Sequence, residues 1–518
     1  MEEFPGMPEP RRGLSAAAAA AILLALAAVT FPRAVAAHVE SMSIPELASV
    51  SPHVVVAVVE GRESRWNAQH TLLVTDYALR VEDRLRGQAP DRITLTVPGG
   101  TLGNVSDETC VTVSLDPGAR YLLFLGNLDR PSFTPIVGAE LGMIREVSGT
   151  WFRALVAAVR PLAAQPLAAR PPRQRPSPAL PAKTWDAKLR GKYIYHEIAK
   201  PPILVNPLTA GSAFSPWDQR EMALWNLYAG DLFEVVATPS STWAFGNGVS
   251  DIAGFPPDDQ MLVNFGMTWG EIGNDVLAIT ISHKENGVLT EADVAVNPNR
   301  SWTVDEVVGM RYFQPYPFQE IILHELGHVW GLHHPSEEHV QAGWDSVMHY
   351  KDRHYYVEEL FPDDTNAVRA AFPPGVSLRD GLISSYTTYW NTDVNLVDYV
   401  PARPSVSTVR ASGGFTLTDP IKIENPGTVP LDNPLVEVYL TPKQRSFTGG
   451  VLLKRLRVPG TVPAGGLQVV DVGPLRVPAG TRAGTYFLAF FLRDPKDVYQ
   501  ANNGAWSNED VTLKVTRR

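Results

Sequence analysis

The sequence predicts a multidomain protein in which an α+β domain lies between an N-terminal β-barrel and a C-terminal β-sandwich. Its 518 residues are enough for several domains. Short β-type runs separated by Gly and Pro fill both ends of the chain, whereas the middle mixes strand-like and helical patterns. Hydrophobic residues make up 44% of the chain and charged residues 19%, which is a globular composition.

Residues 1–37 are predicted to be a bacterial-type export signal. Arg11 and Arg12 precede an apolar run over residues 16–29, and small residues at 34–37 provide a cleavage site. Because a membrane span needs about 20 apolar residues, we predict cleavage and no stable membrane insertion afterwards; an uncleaved anchor is the alternative. We therefore expect the mature protein to be secreted, periplasmic or at the cell surface.

Charge and cysteine content exclude several classes of protein. The net charge of −10 argues against a role at nucleic acids or membrane surfaces, since both need basic patches. The single cysteine, Cys110, excludes an intramolecular disulfide and a Cys-rich zinc site. Its alternating surroundings favour a buried thiol on a strand.

The segment 38–150 is predicted to be a small β-barrel. Short β-type runs occur at residues 54–59, 71–74, 93–97 and 121–125, with Gly and Pro pairs between them. Their regular spacing without a helical period favours a barrel. The pattern loosely resembles an OB-like domain.

Residues 151–183 are predicted to be a Pro/Arg-rich linker. Seven prolines and four arginines lie between residues 160 and 183, without one acidic residue. Proline at this density favours an extended, semi-rigid spacer. Its arginines also make it a candidate for proteolysis, and a solvated spacer is the alternative.

Residues 184–400 are predicted to form the α+β domain. Ser215 and the proline after it mark the start of a helix over residues 216–229. Two strands are expected on either side of a turn at Asn286, and a second helix is expected from near Pro317.

Residues 404–518 return to strand patterns, with clear runs at 435–440 and 485–491. Their length of about 110 residues fits a β-sandwich. Segments at 425–427 and 500–503 resemble those of bacterial Ig-like adhesion modules.

The chemistry-bearing segment is residues 324–335, which read His-Glu-Leu-Gly-His-Val-Trp-Gly-Leu-His-His-Pro. His324 and His328 are four residues apart and therefore share one face of a helix. Gly331 tolerates the left-handed conformation that ends a helix, so that His334 can turn back to the same metal. Three His ligands leave a fourth position open, as a catalytic zinc site requires.

Glu325 lies beside the two helical histidines without being required as a ligand. Zinc lowers the pKa of a bound water towards neutrality. Glu325 can then take the proton of that water and pass it to the leaving amine. The sequence therefore predicts Zn²⁺ as cofactor and Glu325 as the catalytic base.

The same segment matches the metzincin signature HExxHxxGxxH. Ser-Val-Met-His-Tyr at residues 346–350 follows it and resembles the methionine turn beneath the zinc of that family. The resemblance implies that Met348 forms an apolar floor under the histidines. It also implies that Tyr350 ligates the zinc and then stabilises the oxyanion; a merely packed Tyr350 is the alternative.

The subfamily features are mixed. Pro335, directly after the third histidine, is similar to serralysins. Residues 276–280, 289–294 and 362–372 look like parts of bacterial matrixin-type domains. The middle domain therefore resembles a matrixin-like domain with a serralysin- or astacin-like methionine turn.

The resemblance implies a secreted zinc metalloendopeptidase that hydrolyses a protein or peptide substrate by a Glu-assisted zinc–water mechanism. The alternative is a cell-surface binding or adhesion protein with a catalytically inactive zinc domain. Asp251, Asp258 and Asp259 resemble the acidic calcium loops of matrixins and could hold a structural Ca²⁺; a solvated acidic loop is the alternative.

Two further expectations concern access to the site. The resemblance implies that the strand at residues 291–296 is a sheet edge that binds extended substrate, with an ordinary edge strand as the alternative. The N-terminal domain or the linker at 151–183 is a candidate for occluding the cleft until it is cut.

Overall fold

We analysed a computed structural model of the chain. It describes residues 44–109, 113–128, 135–137, 142–146, 149–167, 202–208, 214–215, 217–230, 232–236, 247–254, 269, 276–286, 288–304, 315–334, 346–348, 359–372, 377–384, 386–391, 396–507 and 512–517. The predicted export signal, Cys110, Asp258, Asp259 and Tyr350 lie outside these residues.

The described part of the chain is mostly β-sheet with five α-helices, consistent with a multidomain α+β protein. None of these helices is long and apolar enough to cross a membrane. The helices are α1 (Ile44–Val50), α2 (Gly149–Ala163), α3 (Trp217–Ala229), α4 (Phe318–Val329) and α5 (Pro362–Ala371).

The strands are numbered in chain order. They are β1 (His53–Trp66), β2 (Leu73–Arg86), β3 (Arg92–Pro98), β4 (Gly100–Leu102), β5 (Val105–Thr109), β6 (Arg120–Leu125), β7 (Met143–Arg145), β8 (Ile203–Asn206), β9 (Phe233–Val235), β10 (Ser250–Ala253), β11 (Ala278–Glu285), β12 (Val288–Val296), β13 (Trp302–Thr303), β14 (Tyr316–Pro317), β15 (Leu382–Ser384), β16 (Tyr386–Asn391), β17 (Leu396–Pro401), β18 (Thr408–Arg410), β19 (Gly414–Phe415), β20 (Ile421–Asn425), β21 (Leu431–Asp432), β22 (Leu435–Thr441), β23 (Val451–Arg457), β24 (Thr461–Val462), β25 (Gly466–Val470), β26 (Leu475–Arg476), β27 (Gly484–Leu492), β28 (Gly504–Trp506) and β29 (Thr512–Thr516).

The N-terminal region forms a five-stranded antiparallel sheet in the order β3-β2-β1-β6-β7. Buried and exposed side chains alternate from Tyr77 to Val81, as expected for a sheet with one face on a core. The structure differs from the predicted closed barrel, since no pairing among the described residues joins β3 to β7. The chain instead turns at Gly99, where φ is 91°, and sends β4 and β5 to another sheet.

That second sheet has seven strands in the order β4-β5-β11-β12-β10-β8-β9. Strands β8, β9, β10 and β12 run parallel, whereas β11 is antiparallel to both β12 and β5. The expectation that residues 291–296 form a sheet edge is therefore wrong, because they belong to the internal strand β12. The turn at Asn286, where φ is 52°, folds β11 and β12 into a hairpin. Strand β11 lies between β12 and β5.

The two faces of this sheet are covered by different parts of the chain. On one face, Ile279 and Ile281 of β11 share a hydrophobic core with Leu79 and Leu95 of the N-terminal sheet. On the other face, β12 packs on α3 and α4 in a second core. The N-terminal region therefore supplies two strands, β4 and β5, to the sheet that supports α4, and it covers the face of that sheet opposite α4.

Helix α2 occupies the start of the predicted linker. Phe152 and Leu155 pack against Val54 and Val56 of β1 in a common core. The predicted linker boundary at residue 151 is wrong, because the apolar face of α2 is buried on the N-terminal sheet. The remaining linker residues, 168–183, lie outside the described residues.

The C-terminal region contains a six-stranded sheet of β18, β29, β27, β22, β23 and β28, and a three-stranded sheet of β15, β20 and β25. Side chains from both sheets, such as Ile423, Val438 and Phe490, share one core. Strand β15 pairs with β20, so this region begins before the predicted boundary at residue 404.

A buried polar cluster joins α3 to the C-terminal region. The Tyr228 hydroxyl donates a hydrogen bond to the Asp380 carboxylate. The backbone N–H of Gly381 donates to Asp497 Oδ2 at 3.0 Å. Burial, and then the charge of Asp380, raises the pKa of Asp497 to about 7.

The shared core generates a first prediction. Ile281→Ala should lower the free energy of unfolding by about 2–5 kcal/mol, because it removes a buried branched side chain between two sheets. Unfolding in urea should be followed by tryptophan fluorescence and by far-UV circular dichroism. The substitution should lower the urea midpoint of both signals by the same amount. Val288→Ala, at an exposed position of β12, is the control and should change little. Loss of hydrogen-exchange protection in β2 and β11 at different urea concentrations would contradict a shared core.

The junction at Asp380 and Asp497 generates a second prediction. Since the pKa of Asp497 is higher in the folded protein than in an unfolded chain, its stabilising contribution is complete below pH 4 and is lost as the pH rises through about 7. The slope can reach about 1.4 kcal/mol per pH unit. Asp380→Asn removes the neighbouring charge and should flatten this slope in urea unfolding between pH 5 and 8.

Asp471→Asn, at an exposed acidic position of the C-terminal region, is the control and should keep the parental slope. An unchanged slope in Asp380→Asn would show that these two carboxyl groups do not interact.

Candidate metal centre

Three histidine side chains meet at the carboxyl end of α4. Each of the three Nε2 atoms of His324, His328 and His334 lies 3.1 Å from the other two. All three residues are buried. They form a group whose ligand atoms are close enough to hold one metal ion.

Backbone carbonyls fix the orientation of two of these rings. His324 Nδ1 donates to the carbonyl oxygen of Val347 at 2.8 Å, and His328 Nδ1 donates to that of Leu332 at 2.7 Å. A ring whose Nδ1 carries the proton presents its Nε2 lone pair to a metal. Burial lowers the pKa of His328 to about 3, which keeps the ring neutral.

The end of α4 brings the third histidine back to the first two. Gly331 adopts φ 107°, the left-handed conformation that its position in the motif predicts. Its N–H donates to His328 O at 3.0 Å, and the N–H of Leu332 donates to Gly327 O at 2.9 Å. This pair of bonds is a Schellman motif, which stops the helix and reverses the chain. His334 follows three residues after the turn.

A short turn at residues 346–348 lies against α4. Met348 is buried and close to Gly327, where an added Cβ would lie only 2.1 Å from the Met348 sulfur. The turn therefore packs directly on the helix that carries two of the histidines. Tyr350, the other predicted residue of this turn, lies outside the described residues.

Asp364 at the start of α5 holds the turn. Its carboxylate accepts hydrogen bonds from Ser346 Oγ at 2.5 Å and from the Val347 N–H at 2.8 Å. Burial raises the pKa of Asp364 to about 7, against the effect of these bonds. Because Val347 O in turn accepts from His324, Asp364 supports the histidine cluster indirectly. Asp364 lies in the segment 362–372 that resembles part of a matrixin-type domain, but the sequence did not indicate which backbone it contacts.

Glu325 is fully buried beside the histidine cluster. Its Oε2 accepts a hydrogen bond from Thr280 Oγ1 of β11 at 2.5 Å. Thr280 was not identified from the sequence, since nothing local links residue 280 to residue 325. The contact shows that β11 is the strand that passes the proposed base.

The cluster fits zinc by the chemistry of its donors. A tetrahedral Zn²⁺ with Zn–N bonds of about 2.0–2.1 Å holds its ligand nitrogens about 3.3 Å apart, near the observed spacing of 3.1 Å. Neutral imidazoles are ordinary zinc ligands, and three of them leave room for a further ligand. His324, His328 and His334 are therefore the residues that would hold the ion.

The other candidate residues lie elsewhere. His283 Nδ1 is 2.7 Å from Asp107 Oδ1, away from the three-histidine cluster. Asp251 Oδ1 accepts from Asn206 at 2.6 Å, and the Asp251 N–H donates to Asp293. The predicted calcium role of Asp251 stays a prediction, since its partners Asp258 and Asp259 lie outside the described residues.

Comparison with known proteins adds no assignment. No protein-family model matches this chain, and no curated protein sequence matches it. The site must therefore be interpreted from its own geometry.

The contact between α4 and the methionine turn generates a third prediction. Gly327→Ala should lower the free energy of unfolding by about 1–3 kcal/mol, because the new methyl group overlaps Met348. It should also weaken zinc binding, since the turn carries the carbonyl that orients His324. Isothermal titration with zinc and urea unfolding measure the two effects.

Met348→Ala is the matched variant, because it removes the side chain that the methyl group of Gly327→Ala would overlap. The double variant should lose less stability than the sum of the two single losses, by about 1 kcal/mol or more. Strict additivity would contradict the direct contact.

Proposed function

We propose that this protein is an exported, zinc-dependent endopeptidase of the metzincin type, with a matrixin-like catalytic domain. The observation that carries the proposal is the triangle of three Nε2 atoms at 3.1 Å, with the buried carboxylate of Glu325 one residue after His324. A zinc ion bound there supplies Lewis acidity at a peptide carbonyl. His324, His328 and His334 would bind it; burial favours the neutral form of His328, and carbonyl acceptors orient the rings of His324 and His328.

Glu325 is the proposed general base. The Thr280 hydroxyl occupies one of its oxygens and holds the carboxylate in one orientation. The base accepts a proton from water as the peptide carbonyl is attacked, and it returns that proton to the leaving amine. The resemblance to astacins and serralysins assigns oxyanion stabilisation to Tyr350.

The alternative, a binding protein with an inactive zinc domain, would not need Glu325. A carboxylate that is buried and fixed by a hydrogen bond beside three buried histidines favours catalysis over binding alone. The C-terminal sandwich is compatible with either function.

The decisive measurement is cleavage of a broad peptide library by the purified full chain with zinc. Glu325→Gln should lower the rate by about 10²- to 10⁴-fold, because it removes the base while keeping the shape of the side chain. Zinc affinity should stay at the parental value. His334→Ala should lose both zinc binding and cleavage.

Glu63→Gln, at an exposed position of β1, is the matched control and should cleave like the parent. Equal cleavage by the parent and Glu325→Gln would show that Glu325 is not the base. Zinc binding without any cleavage by the parent would favour the binding protein.

A further inference from the structure

Strand β5 of the N-terminal region occupies the outer side of β11. Five residue pairs join the two antiparallel strands, from Ile281 opposite Thr109 to Glu285 opposite Val105. The connection extends into the turns, where the Asn286 N–H donates to Asn104 O at 3.0 Å. At residues 281–285, the edge of β11 that faces away from β12 is therefore paired with the chain itself.

This pairing begins next to the residue of β11 that contacts the proposed base. Thr280, one residue before the paired segment, contacts Glu325. Side chains on a strand alternate between its faces, so Ser282 and Lys284 lie on the same face as Thr280.

We propose that β5 occupies the position of an extended peptide substrate, and that β11 favours peptides with acidic residues. This inference rests on the proposed peptidase function. An extended peptide that reaches the histidine cluster must pass the strand beside it, and pairing with a free strand edge is how such peptides commonly bind. The antiparallel β5 shows that β11 accepts a strand in this register.

The side chains of β5 indicate which peptides fit. His283 of β11 contacts the carboxylate of Asp107 at 2.7 Å, and Lys284 Nζ contacts that of Glu108 at 2.9 Å. The two basic side chains project on opposite faces of β11, so each is matched by its own acidic partner. A peptide that replaces β5 gains the same contacts when it carries acidic residues at these two positions. The Lys284 pair lies on the face of the proposed base.

Replacement takes place without release of the N-terminal domain. Ile279 and Ile281 share a core with that domain, so its loss would expose an apolar sheet face. The β4–β5 hairpin itself lies at the end of the sheet order, and its tip at Leu102 and Gly103 is exposed. A peptide that replaces β5 must therefore displace this hairpin, and with it the hydrogen bond from the Leu73 N–H to Asp107 Oδ2 at 2.7 Å.

The test uses the full chain carrying Glu325→Gln, so that binding is measured without cleavage. The probes are fluorescent peptides with the sequence of β5, Val-Ser-Asp-Glu-Thr, and its neutral counterpart Val-Ser-Asn-Gln-Thr. Glu108→Gln removes the ion pair that holds β5, and should bind the acidic peptide about two- to fivefold more tightly than the parent. Fluorescence anisotropy measures this affinity.

Charge reversal supplies the specificity control. Lys284→Glu should abolish the preference for the acidic peptide over the neutral one. Glu108→Lys combined with Lys284→Glu restores the ion pair in the opposite sense and should return backbone hydrogen exchange at residues 281–285 to the parental rate. Glu108→Gln alone should accelerate that exchange, and the acidic peptide should slow it again.

Peptide affinities equal in the parent, Glu108→Gln and Lys284→Glu, together with β11 amides that remain protected in every variant, would overturn the proposal. The acidic peptide could bind preferentially to the Glu325→Gln protein while the unsubstituted protein cleaves no peptide. That result would support the β11 binding site and contradict the proposed peptidase function. The two failures are therefore distinguishable.

Discussion

The reversal of the chain at Gly331 is the constraint on which the three-histidine cluster depends. His324 and His328 lie on one face of α4, so a third histidine can reach the same point only from outside the helix. Gly331 supplies the left-handed residue, and its Schellman bonds fix the exit of the chain so that His334 meets the other two rings. A side chain at this position would strain the backbone and move the third ligand.

Around this turn, the supporting groups are backbone atoms held by buried polar side chains. Val347 and Leu332 accept from the outer nitrogens of two histidines, and Asp364 holds the segment that carries Val347. Thr280 of β11 donates a hydrogen bond to the Glu325 carboxylate and holds it in a similar way. The histidine cluster and Glu325 are thus held by contacts with α5 and β11, two elements that are distant in sequence.

Local features of the sequence predicted α3, α4 and the longer strands, among them β1, β6, β11, β12, β22 and β27. Gly230 ends α3 and Pro317 precedes α4, because a glycine or proline restricts the backbone at each of these points. Helix α1 was not predicted, and α2 lies in the predicted linker, because the apolar face of α2 is recognised only when it packs on the N-terminal sheet. The histidine cluster followed from spacing alone. Pairing of β5 with β11 could not be predicted, because strands so distant in sequence leave no local pattern. The same limit concealed the contacts of Asp364 and Thr280, whose partners are defined only by the tertiary fold.

The distance along the chain between β5 and β11 has a consequence for folding. Asp107 and His283 are 176 residues apart, so the seven-stranded sheet closes a very long loop when they meet. Contacts of this range form slowly, since loop-closure entropy must be overcome before they stabilise anything. The sheet behind α4 is therefore completed only after both the N-terminal and the middle segments have been synthesised. The arrangement of Thr280 beside Glu325 is therefore finished late in folding, after the contacts within each segment have formed.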